Sequence, residues 1–141
     1  MNVFVYGTLT DPEQAGTVLD EFTYRGPAVL EGLHRADGEY PTLAPGESVM
    51  GRLLSTDEIS ALDRYEGVHT DLYVRISVPI VAGGAEGTDE ATETAEVYVG
   101  DPERLDADAE WPGEGSFGER VLRYTVDNDL RVRSRRGTFD S

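Results

Sequence analysis

Apolar and polar positions alternate most clearly in "YVRISVPIV" (73 to 81), where Val74, Ile76, Val78 and Ile80 fall on one face. That period of two predicts a half-buried strand. "NVFVY" (2 to 6) is a shorter β-prone run that stops at Gly7, and "GPAVLEGLHR" (26 to 35) reads as a strand interrupted by glycines. "GEYPTLAPGES" (38 to 48) carries turn residues, "VMGRLL" (49 to 54) resumes a strand, and "AEVYV" (95 to 99) reads as the partner returning from residues 73 to 81. "LRVRS" (130 to 134) predicts a last strand at a sheet edge.

Three segments switch to helical spacing. Asp11 is placed as an N-cap, with Pro12 in the first helical position and Val18, Leu19 and Phe22 following. Ser55 with Glu58 predicts a capping box for a second helix that Gly67 ends. Ser116 with Glu119 predicts another, carrying Phe117, Val121 and Tyr124. Short strands mixed with a few helices indicate an α+β fold: mostly antiparallel strands curled into a sheet or small barrel, with flanking helices. At 141 residues the chain fits a single domain, 1 to 141. Within it, 82 to 94, "AGGAEGTDEATET", reads as an acidic insertion loop and 111 to 141 as a C-terminal helix–strand extension.

Charge narrows the partners. Asp plus Glu number 28 against 12 basic residues, all of them arginine, for a formal net charge of −16. The strand-like runs argue against disorder, and the surplus fits adaptation to high salt, where screening tolerates self-repulsion. An acidic surface also disfavours nucleic acid and anionic membranes as partners. The absence of cysteine excludes disulfides and thiol nucleophiles. Neither a leader-like basic-then-apolar start nor a membrane-spanning run is evident, so a soluble, cytoplasmic protein is expected.

One carboxylate stands out. "ALDRYEG" (61 to 67) places Glu66 at the end of a helix, where the macrodipole disfavours negative charge. Ile59 and Leu62 define the apolar stripe. Seven steps of about 100° return Glu66 to within roughly 20° of Ile59. Ser60, Ala61 and Arg64 fall on the other side. Desolvation and the helix end would both raise its pKa, which suits general acid–base chemistry. The alternative from geometry is a frayed end, with Glu66 in water or paired with an arginine.

"VYGTL" near the N-terminus and "LDRYEG…LYVR" in the middle resemble the gamma-glutamylcyclotransferase-like family, over residues 3 to about 99. The resemblance implies a compact mixed β-barrel with flanking helices. The implied reaction turns a gamma-glutamyl amine, amino acid or peptide into 5-oxoproline plus free amine. It puts the catalytic general acid/base on Glu66 and the substrate-holding segment on Tyr6, Gly7, Thr8 and Leu9, with Tyr73 as a pocket residue. No cofactor or metal is implied, and the partner is a small gamma-glutamyl molecule; monomer and homodimer are both open.

Weaker candidates have plainer readings. Tyr40 reads as turn packing, and Trp111 as a loop anchor rather than a substrate platform. His34 and His69 are isolated from each other and from further ligand types. Asp63, three residues before Glu66, reads as a solvated flank or an arginine's ion partner rather than half of a carboxylate pair. Two functions from other classes compete with the enzyme: a non-catalytic binding module of the same fold, and a structural partner using the "LRVRS" edge. The arginines at 131, 133, 135 and 136 read more simply as protection of that edge against aggregation.

Overall fold

A computed structural model describes residues 1–36, 42–66, 73–82, 93–105, 107, 109, 111–128 and 130–134. The strands are β1 (Asn2–Val5), β2 (Thr23–Ala36), β3 (Thr42–Ser55), β4 (Tyr73–Ala82), β5 (Glu93–Gly100) and β6 (Arg131–Ser134). Among the described residues they close into one barrel in the order β1-β3-β2-β6-β4-β5. Most neighbours are antiparallel; β1 with β5 and β4 with β6 are parallel. A 3₁₀ turn at Thr8–Thr10 and the helices α1 (Pro12–Val18), α2 (Ile59–Glu66), α3 (Pro102–Leu105) and α4 (Phe117–Asp127) flank it. The mixed barrel with flanking helices is the architecture the sequence implies.

Strand alternation sorts side chains into two cores. Phe4, Leu30, Leu33, Leu43, Ile76, Val78, Val97, Val99, Val121 and Val132 are among those filling the barrel. Val74 and Ile80 pack against that group, so the whole predicted apolar face of β4 points inward. Val3, Val5, Leu9, Leu54, Leu62, Tyr73 and Tyr98 form the second core, outside the barrel wall and beneath the first two helices. β1 shows the division compactly: Phe4 points inward, while Val3 and Val5 point outward.

Two of the three helix starts follow the sequence signals. Asp11 accepts from Glu13 N at 2.9 Å with Pro12 as the first helical residue, and Ser116 and Glu119 make the reciprocal capping box. The third differs. β3 runs through Ser55, and α2 begins at Ile59. The Glu58 carboxylate does not fold back on Ser55. It crosses the chain to accept from Asp20 N (3.2 Å) and Glu21 N (2.7 Å), donors that the turn after α1 leaves open. Thr56 Oγ1 accepts from Glu58 N instead. Tertiary donors therefore outcompete the local motif.

Three further expectations are corrected. The turn-rich stretch 38 to 48 contributes residues 42–48 to β3, which pairs with β2 as one long hairpin. Gly32, Gly46 and Glu47 have positive φ, and the register shifts between Glu31 and Leu33; the "APGES" signal marks a bulge within a strand, not its end. β6 is not an edge: it pairs with β2 on one side and β4 on the other, so it completes the wall. That pairing removes the edge on which the structural-partner reading and the aggregation-protection role both depended. Arg133 instead binds Glu31 at 3.0 Å, while Arg135 and Arg136 lie outside the described residues. Ala61, expected on the outer side of α2, packs against the second core.

α3 was not anticipated, although its "DP" opening copies the signal that starts α1. Most of the acidic loop, 83–92, lies outside the described residues. The hairpin flanking it is present, with Ile80 opposite Glu93.

The hairpin of β2 and β3 reaches across to β5. The Thr42 hydroxyl, fully buried, donates to Gly100 O at 2.9 Å and accepts from Gly100 N at 2.7 Å. Gly100 has no room for a side chain: a Cβ there would sit 2.9 Å from Tyr73 Cε2 and collide with Leu105. Thr42→Val leaves both Gly100 groups short of a partner. It is expected to lower unfolding free energy by about 2 kcal/mol, read from urea denaturation.

Candidate active site

Register brings the sequence motifs to one end of the barrel. β1 runs parallel to β5, with Asn2 opposite Ala95 and Val3 opposite Glu96. β4 runs antiparallel to β5, with Tyr73 opposite Gly100 and Val74 opposite Val99. The exit of β1, the exit of β5 and the entry of β4 therefore share one mouth. α2 ends at Glu66, and Asp63 in its last turn bonds Tyr98 of β5 and Arg75 of β4 near the same mouth.

The segment leaving β1 is held by its carbonyls. Thr10 N (3.1 Å) and Thr10 Oγ1 (2.7 Å) both donate to Gly7 O. Tyr24 Oη donates to Leu9 O at 2.5 Å, and Arg52 Nη1 to Thr10 O at 2.8 Å. Arg52 also lies over the Tyr24 ring, 3.8 Å from its centroid, a cation–π contact that keeps both donors in place. With its oxygens anchored, the segment makes one 3₁₀ turn, whose first N–H groups have no acceptor within the turn. Leu9 is buried in the second core and pins the turn to the wall. The Thr8 side chain lies outside the described set.

Tyr6 packs against the barrel core, and its hydroxyl donates to Tyr98 O at 2.5 Å. Tyr73 lies on the opposite face of the wall. It is 7% exposed and packs in the second core near Leu105 and Gly100, so most of its ring is core rather than surface. The two tyrosines share the mouth but not a face.

α2 ends at Glu66, as its sequence signature implies. Leu62 is buried, Ile59 packs beside it in the second core, and Ser60 and Arg64 are exposed. The Glu66 side chain lies outside the described set, as do Gly67, His69 and Tyr40. Asp63, one turn earlier, takes the ion-pair reading: its Oδ1 lies 3.3 Å from Arg75 Nε and accepts from Tyr98 Oη at 2.7 Å. Arg75 Nη1 also lies 3.5 Å from Glu96 Oε1, and Ser77 Oγ donates to Glu96 Oε2 at 2.7 Å. The sequence motifs contained Asp63 and Arg75, but nothing in their spacing told that the two meet; Tyr98 and Glu96 carried no signal at all.

The remaining candidates fall away from the mouth or into packing. His34 lies 3.8 Å from Glu47 and 3.4 Å from Gly46 O, at the bulge of the long hairpin. Among the described residues, no group of three or more His, Cys, Asp or Glu side chains is placed to hold a metal ion. Trp111 is buried in the barrel core, edge-on to Phe117 and Tyr124, which fits a loop anchor. No described helix is long and apolar enough to cross a membrane.

A family model described as "Gamma-glutamyl cyclotransferase, AIG2-like" matches residues 3–117. Protein AIG2 C of Arabidopsis thaliana is 32% identical over 85 residues, covering 57% of this chain and 52% of that protein. AIG2-like protein A of the same plant is 38% identical over 88 residues, with the same coverages of 57% and 52%. The chain thus spans about half the length of the curated relatives it matches. Among solved structures, an uncharacterised protein from Homo sapiens aligns at a TM-score of 0.58 and 19% identity, covering 88% of this chain and 97% of that one. A gamma-glutamyl cyclotransferase aligns at 0.56 and 19%, covering 91% and 79%. At these identities the structural likeness establishes the fold.

Tyr24 supplies a test of the anchored segment. Burial pushes its phenol above the ordinary value, against the pull of Arg52 and with a smaller push from Asp11. The folded protein therefore holds this proton more tightly than the unfolded chain does. The resulting stability is fully present below pH 10.0, the unfolded value, and is lost as pH rises from there through the higher folded value. Tyr24→Phe is expected to cost about 1 kcal/mol near neutrality, and its deficit against wild type should shrink in urea unfolding series carried above pH 10.0.

Proposed function

Because the chain belongs to the gamma-glutamyl cyclotransferase, AIG2-like family, we propose that it is a cyclotransferase. In this reading it converts a gamma-glutamyl amine, amino acid or peptide to 5-oxoproline and a free amine. Two observations support the reading: the β1 exit, with its anchored carbonyls, opens at the mouth where β5 ends and β4 begins, and Asp63 in the last turn of α2 bonds Tyr98 and Arg75 of those strands. These are the two segments that the family motifs occupy.

The substrate supplies its own nucleophile. Its α-amine nitrogen bonds to the γ-carbonyl carbon, and the bond from that carbon to the departing nitrogen breaks. No protein nucleophile enters the ring. Holding the glutamyl chain folded, with nitrogen and carbonyl carbon in contact, supplies much of the acceleration. Proton balance defines the remaining task. The attacking nitrogen passes from ammonium to lactam N–H, and the departing nitrogen from amide N–H to ammonium. Protons must therefore travel from the first to the second. One carboxylate can collect and deliver them in turn, and Glu66 is assigned that role.

Charge develops on the carbonyl oxygen as the ring closes. The backbone N–H groups of Gly7, Thr8 and Leu9 are the assigned donors, for the substrate carboxylate and this oxygen together. Their fitness comes from the anchoring of the segment: Gly7 O, which shares its peptide with Thr8 N, and Leu9 O are already engaged, so the turn keeps its orientation when the substrate binds. Tyr6 lines the mouth from the barrel side, and Tyr73 backs it from the second core. α4 and the residues around Trp111 lie beside the same end, with Gly118 next to Val74. Leaving-group selection is assigned to that region.

The test is 5-oxoproline release from a panel of gamma-glutamyl amines and dipeptides in molar salt, wild type beside Glu66→Gln. Wild type is expected to turn over part of the panel, and Glu66→Gln to lose about 10²- to 10⁴-fold in kcat. Equal rates from both would remove Glu66 from the mechanism. Saturable ligand binding by folded wild type, with no product, would replace the enzyme by a binding module.

A further inference from the structure

Two motif residues have no part in the reaction just described: Asp63 in "LDRYEG" and Arg75 in "LYVR". The structure joins them, and joins both to Tyr98. On the outer face of the wall Arg75 stands opposite Tyr98 and Ser77 opposite Glu96 across the β4–β5 pair. α2 lays Asp63 over this patch. Its side chain is 17% exposed, that of Arg75 29%, and that of Glu96 9%, so the charges are largely screened from water. One guanidinium lies between two carboxylates, and each carboxylate takes a further hydroxyl, from Tyr98 or Ser77. An ion cluster satisfied in this way resists rearrangement, because removing one of its charges leaves an opposite charge poorly solvated.

Tyr98 has a second attachment. Its side-chain hydroxyl holds Asp63 of α2, and its backbone carbonyl receives the Tyr6 hydroxyl from the end of β1. Asp63 precedes Glu66 by one helical turn, about 4.5 Å along the axis. Tyr6 immediately precedes Gly7. A single residue of β5 is therefore bonded to both halves of the assigned site, one through its side chain and one through its main chain.

We propose that Tyr98, with Asp63 and Arg75, is the positioning junction that fixes the carboxyl end of α2 relative to the Tyr6–Leu9 segment. The functional consequence rests on the assignment of Glu66 and Gly7–Leu9 above; the junction itself rests on the Tyr98, Asp63, Arg75 and Tyr6 contacts alone. None of the three residues is assigned contact with substrate. Each acts through another: Asp63 through the helix it belongs to, Arg75 through Asp63, and Tyr98 through Asp63 and Tyr6. A reaction limited by the alignment of a carboxylate with backbone donors is sensitive to such a junction, since small misplacements of a reacting group are costly in rate.

The experiment compares Tyr98→Phe, Asp63→Ala, Asp63→Asn and the Tyr98→Phe/Asp63→Ala double variant with wild type. Ser77→Ala, which disturbs the Glu96 side of the same cluster, is the control. kcat and KM for 5-oxoproline release are separated, and amide hydrogen exchange is followed over residues 59–66. Tyr98→Phe and Asp63→Ala are each expected to lower kcat about tenfold or more with KM nearly unchanged, and to speed exchange over 59–66. Asp63→Asn keeps an oxygen for the Tyr98 hydroxyl and should retain more of kcat than Asp63→Ala. The double variant should fall short of the product of the two single losses, since they share one hydrogen bond. Ser77→Ala should change neither readout. Unchanged kcat and exchange in Tyr98→Phe would overturn the junction, and so would equal losses in Ser77→Ala. If wild type releases no product at all, the cyclotransferase reading fails separately. Exchange over 59–66 in Tyr98→Phe then decides the junction alone: faster supports it, unchanged overturns it.

Discussion

Closure of the barrel is the constraint from which the rest of the molecule follows. β6, a four-residue strand from the end of the chain, pairs antiparallel with β2 and parallel with β4. β1, equally short, fits between β3 and β5. Without either strand the long β2–β3 hairpin and the β4–β5 hairpin would meet solvent along unpaired edges. With both, every strand has two neighbours and the wall acquires an inside and an outside. Alternation along each strand then divides the apolar residues between the barrel interior and a second core beneath the helices.

That division gives the mouth its character. Interior residues such as Phe4, Val97 and Val99 fill the barrel, so the proposed site is placed at the rim, where β1 and β5 end and β4 begins. The Tyr6–Thr10 segment is held there by donors from β2 and β3, long strands already fixed by the hairpin. α2 is held from the other side, by Leu62 in the second core and by the ion cluster on the outer face of β4 and β5. Two independent anchors thus meet at one rim, each resting on strands whose positions closure has set.

The acidic composition acts at a different level from the fold. The net charge is −16; among the described residues most acidic side chains are exposed, and several arginines have specific tasks. Arg52 holds a carbonyl and covers a tyrosine ring, Arg75 bridges two carboxylates, and Arg133 pairs with Glu31. A planar, always-charged guanidinium makes several directed bonds at once, which suits these sites better than an ammonium would. The absence of lysine from the chain has at these positions a structural counterpart.

By itself the sequence determined what depends on neighbours along the chain. Alternation over 73 to 81 fixed which side chains of β4 point inward, Asp11–Pro12 and Ser116–Glu119 fixed two helix starts, and the spacing of Ile59 and Leu62 set the buried side of α2. The ordered motifs "VYGTL" and "LDRYEG…LYVR" were enough to indicate the family. Tertiary structure alone decided what depends on distant partners. Glu58 left its local cap for donors at 20 and 21, "LRVRS" became a closing strand, and turn residues at 45 to 47 were absorbed as a bulge. The meeting of Asp63, Arg75 and Tyr98 belongs here too, because helix position and cross-strand register have to combine before those side chains are neighbours. The physical reason is one of range. Backbone propensity and capping act within a few residues, whereas a hydrogen bond or ion pair between segments exists only after the barrel has closed and brought its partners into reach.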